Sequence, residues 1–255
     1  MKVSQSLLRD YTGDEKCGLV CYYTHIKNWR KPPSNAMKLG LAFESIVLGC
    51  ARGEEDYSND YPKTKKRVLK SGVVREARPN ADSQRMLDAA PRAKTIMQML
   101  FQDWYQVQAS WETDNMTGHP DLLSDFIDER TGDWYPFVIV DLKYVTAKTP
   151  DQSKFSYFNW SDIMSNDLRQ SLQYVSMHYQ KTGNVVPFVY AAFSGHGWRI
   201  VKMLDWTLED VKNYISEVDE NIAIIKENGF QKTVPDAQCE ECWFKNRCDR
   251  KTKFI

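Results

Sequence analysis

The chain has 255 residues, 42% of them hydrophobic, which is enough for one sizeable core and leads to the expectation of a single domain over residues 1–255. Its 34 basic and 34 acidic side chains cancel, which excludes a global field that would draw in nucleic acid or an anionic membrane, so any polyanion has to be met by a local patch. No apolar run approaches the roughly 18 residues of a membrane span, and "MKVSQSLLRDYTGDEK" at the start lacks the apolar core and cleavage site of a signal peptide; a soluble, cytoplasmic protein with no membrane partner is expected.

In chain order, Ser4 to Tyr11 reads as a short capped helix, followed by Cys17 and Cys21 in "DEKCGLVCYY". A second, strongly apolar helix is predicted from Asn35 in "NAMKLGLAFESIVLGC". Glu44 stands in its middle with hydrophobic neighbours on both sides, which argues against an ordinary solvated charge; Cys50 at its end reads as a buried small residue. Residues 52–80 are polar and turn-rich, acidic first (Glu54, Glu55, Asp56, Asp60) and then basic (Lys63 to Arg78). They are either a solvated excursion from the domain or an arm whose basic half touches phosphates.

A helical pattern returns from Ser83 to Gln102, and then the period changes. "WYQVQASWET", "GHPDLLSDFI" and "WYPFVIVDLKYV" have strand-like content separated by turn residues, which predicts an antiparallel meander. Helical spacing covers 161–180, two strands follow in "VVPFVYAAFS" and "WRIVKMLD" with "GHG" as their turn, and a last helix runs from the cap Thr207, with Glu209 behind it, to Asn228 before Gly229. The sum is an α/β fold with a central sheet flanked by helices.

The stretch "FVIVDLKYV", residues 137–145, places an Asp and a Lys on an otherwise apolar strand. Asp141 and Lys143 are two apart and therefore share a face, and a buried charge is costly unless it is paired or bound to an ion. Asp121 lies one strand earlier. Two carboxylates brought side by side repel unless a cation lies between them, and hard oxygen ligands suit Mg²⁺ or Mn²⁺. Lys143 would then stand beside the metal-bound water. His119, two before Asp121, either faces the metal or a phosphate or makes a hydrogen bond near the site, while His25, His178 and His196 read as structural.

Six cysteines in a reducing compartment suggest metal binding rather than disulfides. "CEECWFKNRC" supplies Cys239, Cys242 and Cys248; a tetrahedral site needs a fourth ligand, for which Cys17 and Cys21 at the other end of the chain are the candidates.

The order of these pieces resembles the PD-(D/E)xK nuclease superfamily: "HPD" ending at Asp121, then a hydrophobic strand, then "DLK" from Asp141 to Lys143. Gly40 to Glu44 matches the G-x-x-x-H/E helix of RecB-like and lambda-exonuclease-like members, and Gln170 to Tyr174 matches the RecB-like Q-x-x-x-Y pattern, whose two residues share one helix face. The tail C-x₂-C-x₅-C with one distant N-terminal Cys is similar to the iron–sulfur nucleases of that group, which include AddB and the CRISPR-associated exonucleases. The resemblance spans Cys17 to Cys248. It implies a restriction-endonuclease-like core with a mixed sheet, its ends joined by a cluster-binding part at 17–21 and 239–248.

It also implies catalytic Glu44, Asp121, Asp141, Lys143, Gln170 and Tyr174, with Mg²⁺ or Mn²⁺ held by Glu44, Asp121, Asp141 and the backbone carbonyl of Leu142. A [4Fe–4S] cluster would be held by Cys17, Cys239, Cys242 and Cys248, Cys17 being preferred to Cys21 because the family's first Cys follows a Ser-capped helix; zinc is the alternative occupant. The implied activity is a DNA exonuclease acting on ends or single strands in recombination, repair or DNA processing, in a bacterial or phage-infected cell, with a recombination or CRISPR-type protein as a further partner. Two other classes stay open: a catalytically silent nucleic-acid-binding module of the same fold, and a cysteine-clipped interaction domain in which Asp141 and Lys143 are a plain buried ion pair.

Overall fold

The structure is a computed structural model, which describes residues 1–12, 17–29, 31–49, 56–68, 74–152, 166–231, 233, 239–246 and 248. Cys50, residues 52–55 and 69–73 of the polar stretch, and residues 161–165 of the predicted helix lie outside the described residues.

The apolar run at 137–142 is explained by its position. Strand β7 (Trp134–Val145) is the middle strand of a five-stranded sheet in which it pairs on both edges, antiparallel to β6 (Leu122–Ile127) and parallel to β8 (Phe188–Ser194). The outer strands are β3 (Trp104–Val107), antiparallel to β6, and β9 (Arg199–Leu204), antiparallel to β8. Even-numbered Val138, Val140 and Leu142 pack with Val189 and Ala191 against α3 (Asn35–Leu48) and α4 (Ala81–Leu100). Ile139, with Phe188 and Tyr190, packs on the other side against α5 (Asn166–Thr182), α6 (Leu208–Asn228) and α1 (Gln5–Thr12). A strand covered on both faces reads as a continuous apolar run.

The meander expectation holds for β3, β6 and β7 and stops there. Helix α5 carries the chain across the sheet so that β8 returns parallel to β7, the crossover that a parallel pair requires. "WYQVQASWET" is two strands rather than one: β3 ends at Val107, Gln108 takes a left-handed backbone (φ 49°), and β4 (Trp111–Glu112) turns away to pair with β5 (Thr117–Gly118). Within the polar stretch, β1 (Arg67–Val68) and β2 (Val74–Arg75) pair antiparallel, so it contains a hairpin of its own.

The helix boundaries follow their caps. Ser34 accepts from Met37 N–H at 3.2 Å and Gly49 (φ 67°) closes α3; Asn80 accepts from Ser83 N–H at 2.8 Å, which starts α4 before the expected Ser83. Thr207 caps α6 through a box with Asp210 rather than Glu209, because the third helical position is the one whose side chain reaches back. The short α2 (Gly18–Cys21) and a π turn over Tyr22–Ile26 complete the N-terminal part.

Candidate active site

Leu122 pairs with Val140 and Leu123 with Ile139. One more step in this register sets Asp121 across from Asp141, the spacing at which antiparallel side chains touch. Both are buried, at 2% and 1% exposure. The Leu142 N–H donates to Asp121 Oδ2 at 2.8 Å, and Lys143 Nζ lies 2.5 Å from Asp141 Oδ2. Burial draws the Lys143 pKa down, but the Asp141 and Asp121 carboxylates more than reverse this and hold the ammonium above the usual lysine range.

Helix α5 closes the site. Gln170 Nε2 donates to Asp141 Oδ1 and to Tyr174 Oη, both at 3.2 Å, and the Tyr174 hydroxyl donates to the His119 carbonyl at 3.1 Å. Burial first, and then the Asp141 carboxylate, push the Tyr174 phenol up to about 12, which keeps it neutral. The helix comes this close because residue 118 is glycine: a Cβ there would lie 2.6 Å from Tyr174 Cε1. Asp141, Lys143, His119, Gln170 and Tyr174 all open into one cavity of about 570 Å³.

Glu44 is not on that wall. It is buried on the α3 side, where its Oε1 accepts from Gln108 Nε2 at 2.8 Å; the Gln108 backbone N–H in turn donates to the Asp121 carbonyl at 2.8 Å. Asp121, Asp141, Lys143, Gln170 and Tyr174 are therefore brought together directly, and Glu44 is joined to them through Gln108. Sequence reasoning missed Gln108, whose residue type carries no turn signal. It also read His25 as structural, whereas His25 lines the cavity and binds Asp10 Oδ2 at 2.9 Å.

Among the described residues no three His, Cys, Asp or Glu side chains stand together as a group that could hold a metal ion. The donor chemistry nonetheless fits a hard divalent cation: two buried carboxylates face each other across one register step, and Lys143 is ion-paired with Asp141.

For the cysteines, the two ends of the described chain are packed together. Gly18 N–H donates to Thr233 Oγ1 at 3.3 Å, a Cβ on Gly18 would fall 2.6 Å from the Gln231 carbonyl oxygen, and the rings of Tyr23 and Phe244 lie 5.6 Å apart. Cys17, Cys242 and Cys248 are half-buried against the same hydrophobic cluster, and Cys239 is buried. Cys21 differs: its thiol is buried within that cluster, directed at the Leu7 carbonyl at 3.7 Å, and pushed up to about 12 by burial and then by the Asp10 carboxylate. The four cysteines Cys17, Cys239, Cys242 and Cys248 thus belong to the packed ends of the chain, but among the described residues they do not stand together as a metal-holding group.

No protein-family model matches the sequence, and no curated protein matches it. Among solved structures, the chain shares its fold with the crystal structure of a protein described as a "Putative exonuclease" from Eubacterium rectale, at 17% identity and a TM-score of 0.61, over 100% of this chain and 90% of that one. At this identity the likeness is one of fold. Among the described residues no helix is long and apolar enough to cross a membrane.

Proposed function

We propose that the chain is a divalent-metal-dependent nuclease that hydrolyses phosphodiester bonds at DNA ends. The observation that carries this reading is the placing of Asp121 opposite Asp141 with Lys143 on the same face. Asp121, Asp141, Glu44 and the Leu142 carbonyl would hold Mg²⁺ or Mn²⁺, which when bound supplies an activated water and neutralises charge on the phosphate. Lys143 orients the nucleophile and stabilises charge developing on the phosphoryl oxygens. Gln170, fixed between Asp141 and Tyr174, positions the strand, and Tyr174 holds the loop at His119 in place. The fold shared with the Eubacterium rectale protein supports the same reading.

Cys17, Cys239, Cys242 and Cys248 would hold a [4Fe–4S] cluster, with zinc as the other candidate, that clips the two ends of the domain across a loop of more than two hundred residues. The role that follows is structural. Work on DNA ends places the protein in recombination, repair or DNA processing, beside a partner protein of those systems.

The test is digestion of end-labelled linear DNA and closed circular DNA with Mg²⁺ or Mn²⁺, using anaerobically purified protein and a Lys143→Ala variant. Loss of linear DNA with wild type alone, circles being spared, is the expected result. A second reading, a binding module without cleavage, is favoured by the absence of a three-ligand group among the described residues; it is adopted if wild type retains DNA and cuts neither form.

A further inference from the structure

The cavity that holds Asp141 and Lys143 has a second wall, made by the N-terminal segment. Lys2, Arg9 and His25 line it together with the hydroxyls of Ser4 and Ser6. Among the described residues lining the cavity, Asp141 is the only carboxylate. The acids that anchor these side chains are not part of that lining: Asp10 binds Arg9 Nε at 3.1 Å and His25 Nε2 at 2.9 Å, and Glu112 binds Lys2 Nζ at 2.5 Å.

The wall is fixed to the body of the protein. Val3 is fully buried and bridges to Met116 like a strand, with Val3 N–H donating to the Asn115 carbonyl at 2.9 Å and Thr117 N–H to the Val3 carbonyl at 3.0 Å. Thr117 and Gly118, on the same hairpin, line the cavity as well. Cationic groups and hydroxyls on a rigid support are the donors that hold phosphate oxygens. The volume, about 570 Å³, is that of a small-ligand site, and it matches a nucleotide or a dinucleotide step of a single strand.

We propose that Lys2, Arg9 and His25, with Ser4 and Ser6, form a phosphate-holding subsite that grips a single nucleic-acid strand beside the phosphodiester presented to Asp141 and Lys143. This rests on the nuclease reading of the same cavity. The test uses the full chain and a fluorescein-labelled oligothymidylate, single-stranded or annealed into a blunt duplex, with binding followed by anisotropy in EDTA over a range of salt. The single strand binds about tenfold tighter than the duplex. Each phosphate contact contributes about 0.7 to the slope of log affinity against log salt for a single strand, so Arg9→Gln and Lys2→Gln each make the slope shallower by about that amount, and Arg9→Lys retains it. Thermal melting of each variant reports that it is folded.

Wild-type affinity and slope in both Gln variants, with DNA ends still digested by wild type, overturn the subsite and leave the nuclease standing. A reduced slope in a protein that digests nothing with Mg²⁺ or Mn²⁺ keeps the subsite and removes the nuclease. Equal affinity for duplex and single strand overturns the single-strand assignment, and no binding of either removes the subsite, the nuclease being judged by digestion alone.

Discussion

Gln108 holds Glu44: its side-chain amide donates to the carboxylate at 2.8 Å from a backbone in the left-handed region, at φ 49°. The Gln108 Oε1 is buried and has no hydrogen-bond partner among the described residues, so the donor end of this amide is what ties the side chain down. Gln108→Ala and Gln108→Gly both remove that donor, but glycine tolerates the backbone. The Gly variant is therefore the more stable of the two by about 1 kcal/mol in urea unfolding. A hydrogen bond to a charged group is worth roughly 1.5–3 kcal/mol, so both variants lose about tenfold to a hundredfold in digestion rate. Both also need more Mg²⁺ for half-maximal rate, a change that a purely structural role for Gln108 would not produce.

Lys143→Ala leaves two buried carboxylates facing each other without the ammonium. Breaking such a pair costs about 3–5 kcal/mol. The variant melts well below wild type in EDTA and regains much of the difference when Mg²⁺ is added, while its cleavage falls by a factor of about 10²–10⁴. Differential scanning fluorimetry with and without Mg²⁺ measures the first effect; equal melting in both conditions would count against a cation between Asp121 and Asp141.

Gly118→Ala drives a methyl group into Tyr174, whose Cε1 and Cδ1 would lie 2.6 and 3.1 Å away, with Met177 Sδ at 3.3 Å. Overpacking of this kind costs about 1–3 kcal/mol. Tyr174 also carries the bonds to Gln170 and His119, so the displacement reaches the site. The variant loses stability and activity together, and adding Tyr174→Phe changes activity little further.

The Asp10 carboxyl is raised by burial but held lower still by its hydrogen bonds to His25 and Arg9, ending at about 2 against an ordinary value of 3.8. Its folded pKa lies below its unfolded one, so its contribution to stability is fully present above pH 3.8 and disappears as the pH falls towards 2. Asp10→Asn therefore flattens the acid limb of the stability curve between these values and leaves the neutral range parallel to wild type, as urea titrations at stepped pH will show.

Cys21, buried and pushed up to about 12, stays a thiol at neutral pH. In metal-stripped protein, iodoacetamide modifies Cys17 and Cys242 before Cys21, which reacts only on unfolding; peptide mass mapping reads the order. On the proposed cluster, anaerobically isolated wild type carries iron and sulfide, Cys17→Ser loses them and Cys21→Ser retains them; wild type isolated without either would count against the cluster. Zinc in place of iron in wild type would identify the other occupant.

What was legible in the sequence follows from what is local. The run Phe137–Val140 and the alternation at Asp141 and Lys143 announce a covered strand with a charged pair on one face, and the Asn35 and Thr207 helices carry their start signals in their caps. The separation of Gln170 and Tyr174 fixes a shared helix face, which the bonds to Asp141 and His119 use. The rest depends on contacts between distant residues. Nothing local to Gln108 signals a positive φ; it is imposed where β3 leaves the sheet and β4 turns away. His25 faces the cavity because Asp10, fifteen residues earlier, draws it there. The parallel pairing of β7 with β8 arises from the crossover through α5, not from any pattern within either strand.

The central place of β7 sets a hierarchy of opening. Its residues up to Val140 are paired on both edges, and from Asp141 on they are paired with β8 while the Leu142 N–H is held by Asp121, so their amides are expected to be among the last to exchange with solvent. The wall that carries Lys2 and Arg9 is attached through the short Val3 bridge and one helix of two turns, and its amides exchange through smaller, more frequent openings. The two walls of the cavity thus differ in how they are anchored: Asp121 and Asp141 sit at the centre of the sheet, and Lys2 and Arg9 at its N-terminal margin, so hydrogen exchange should separate them by rate.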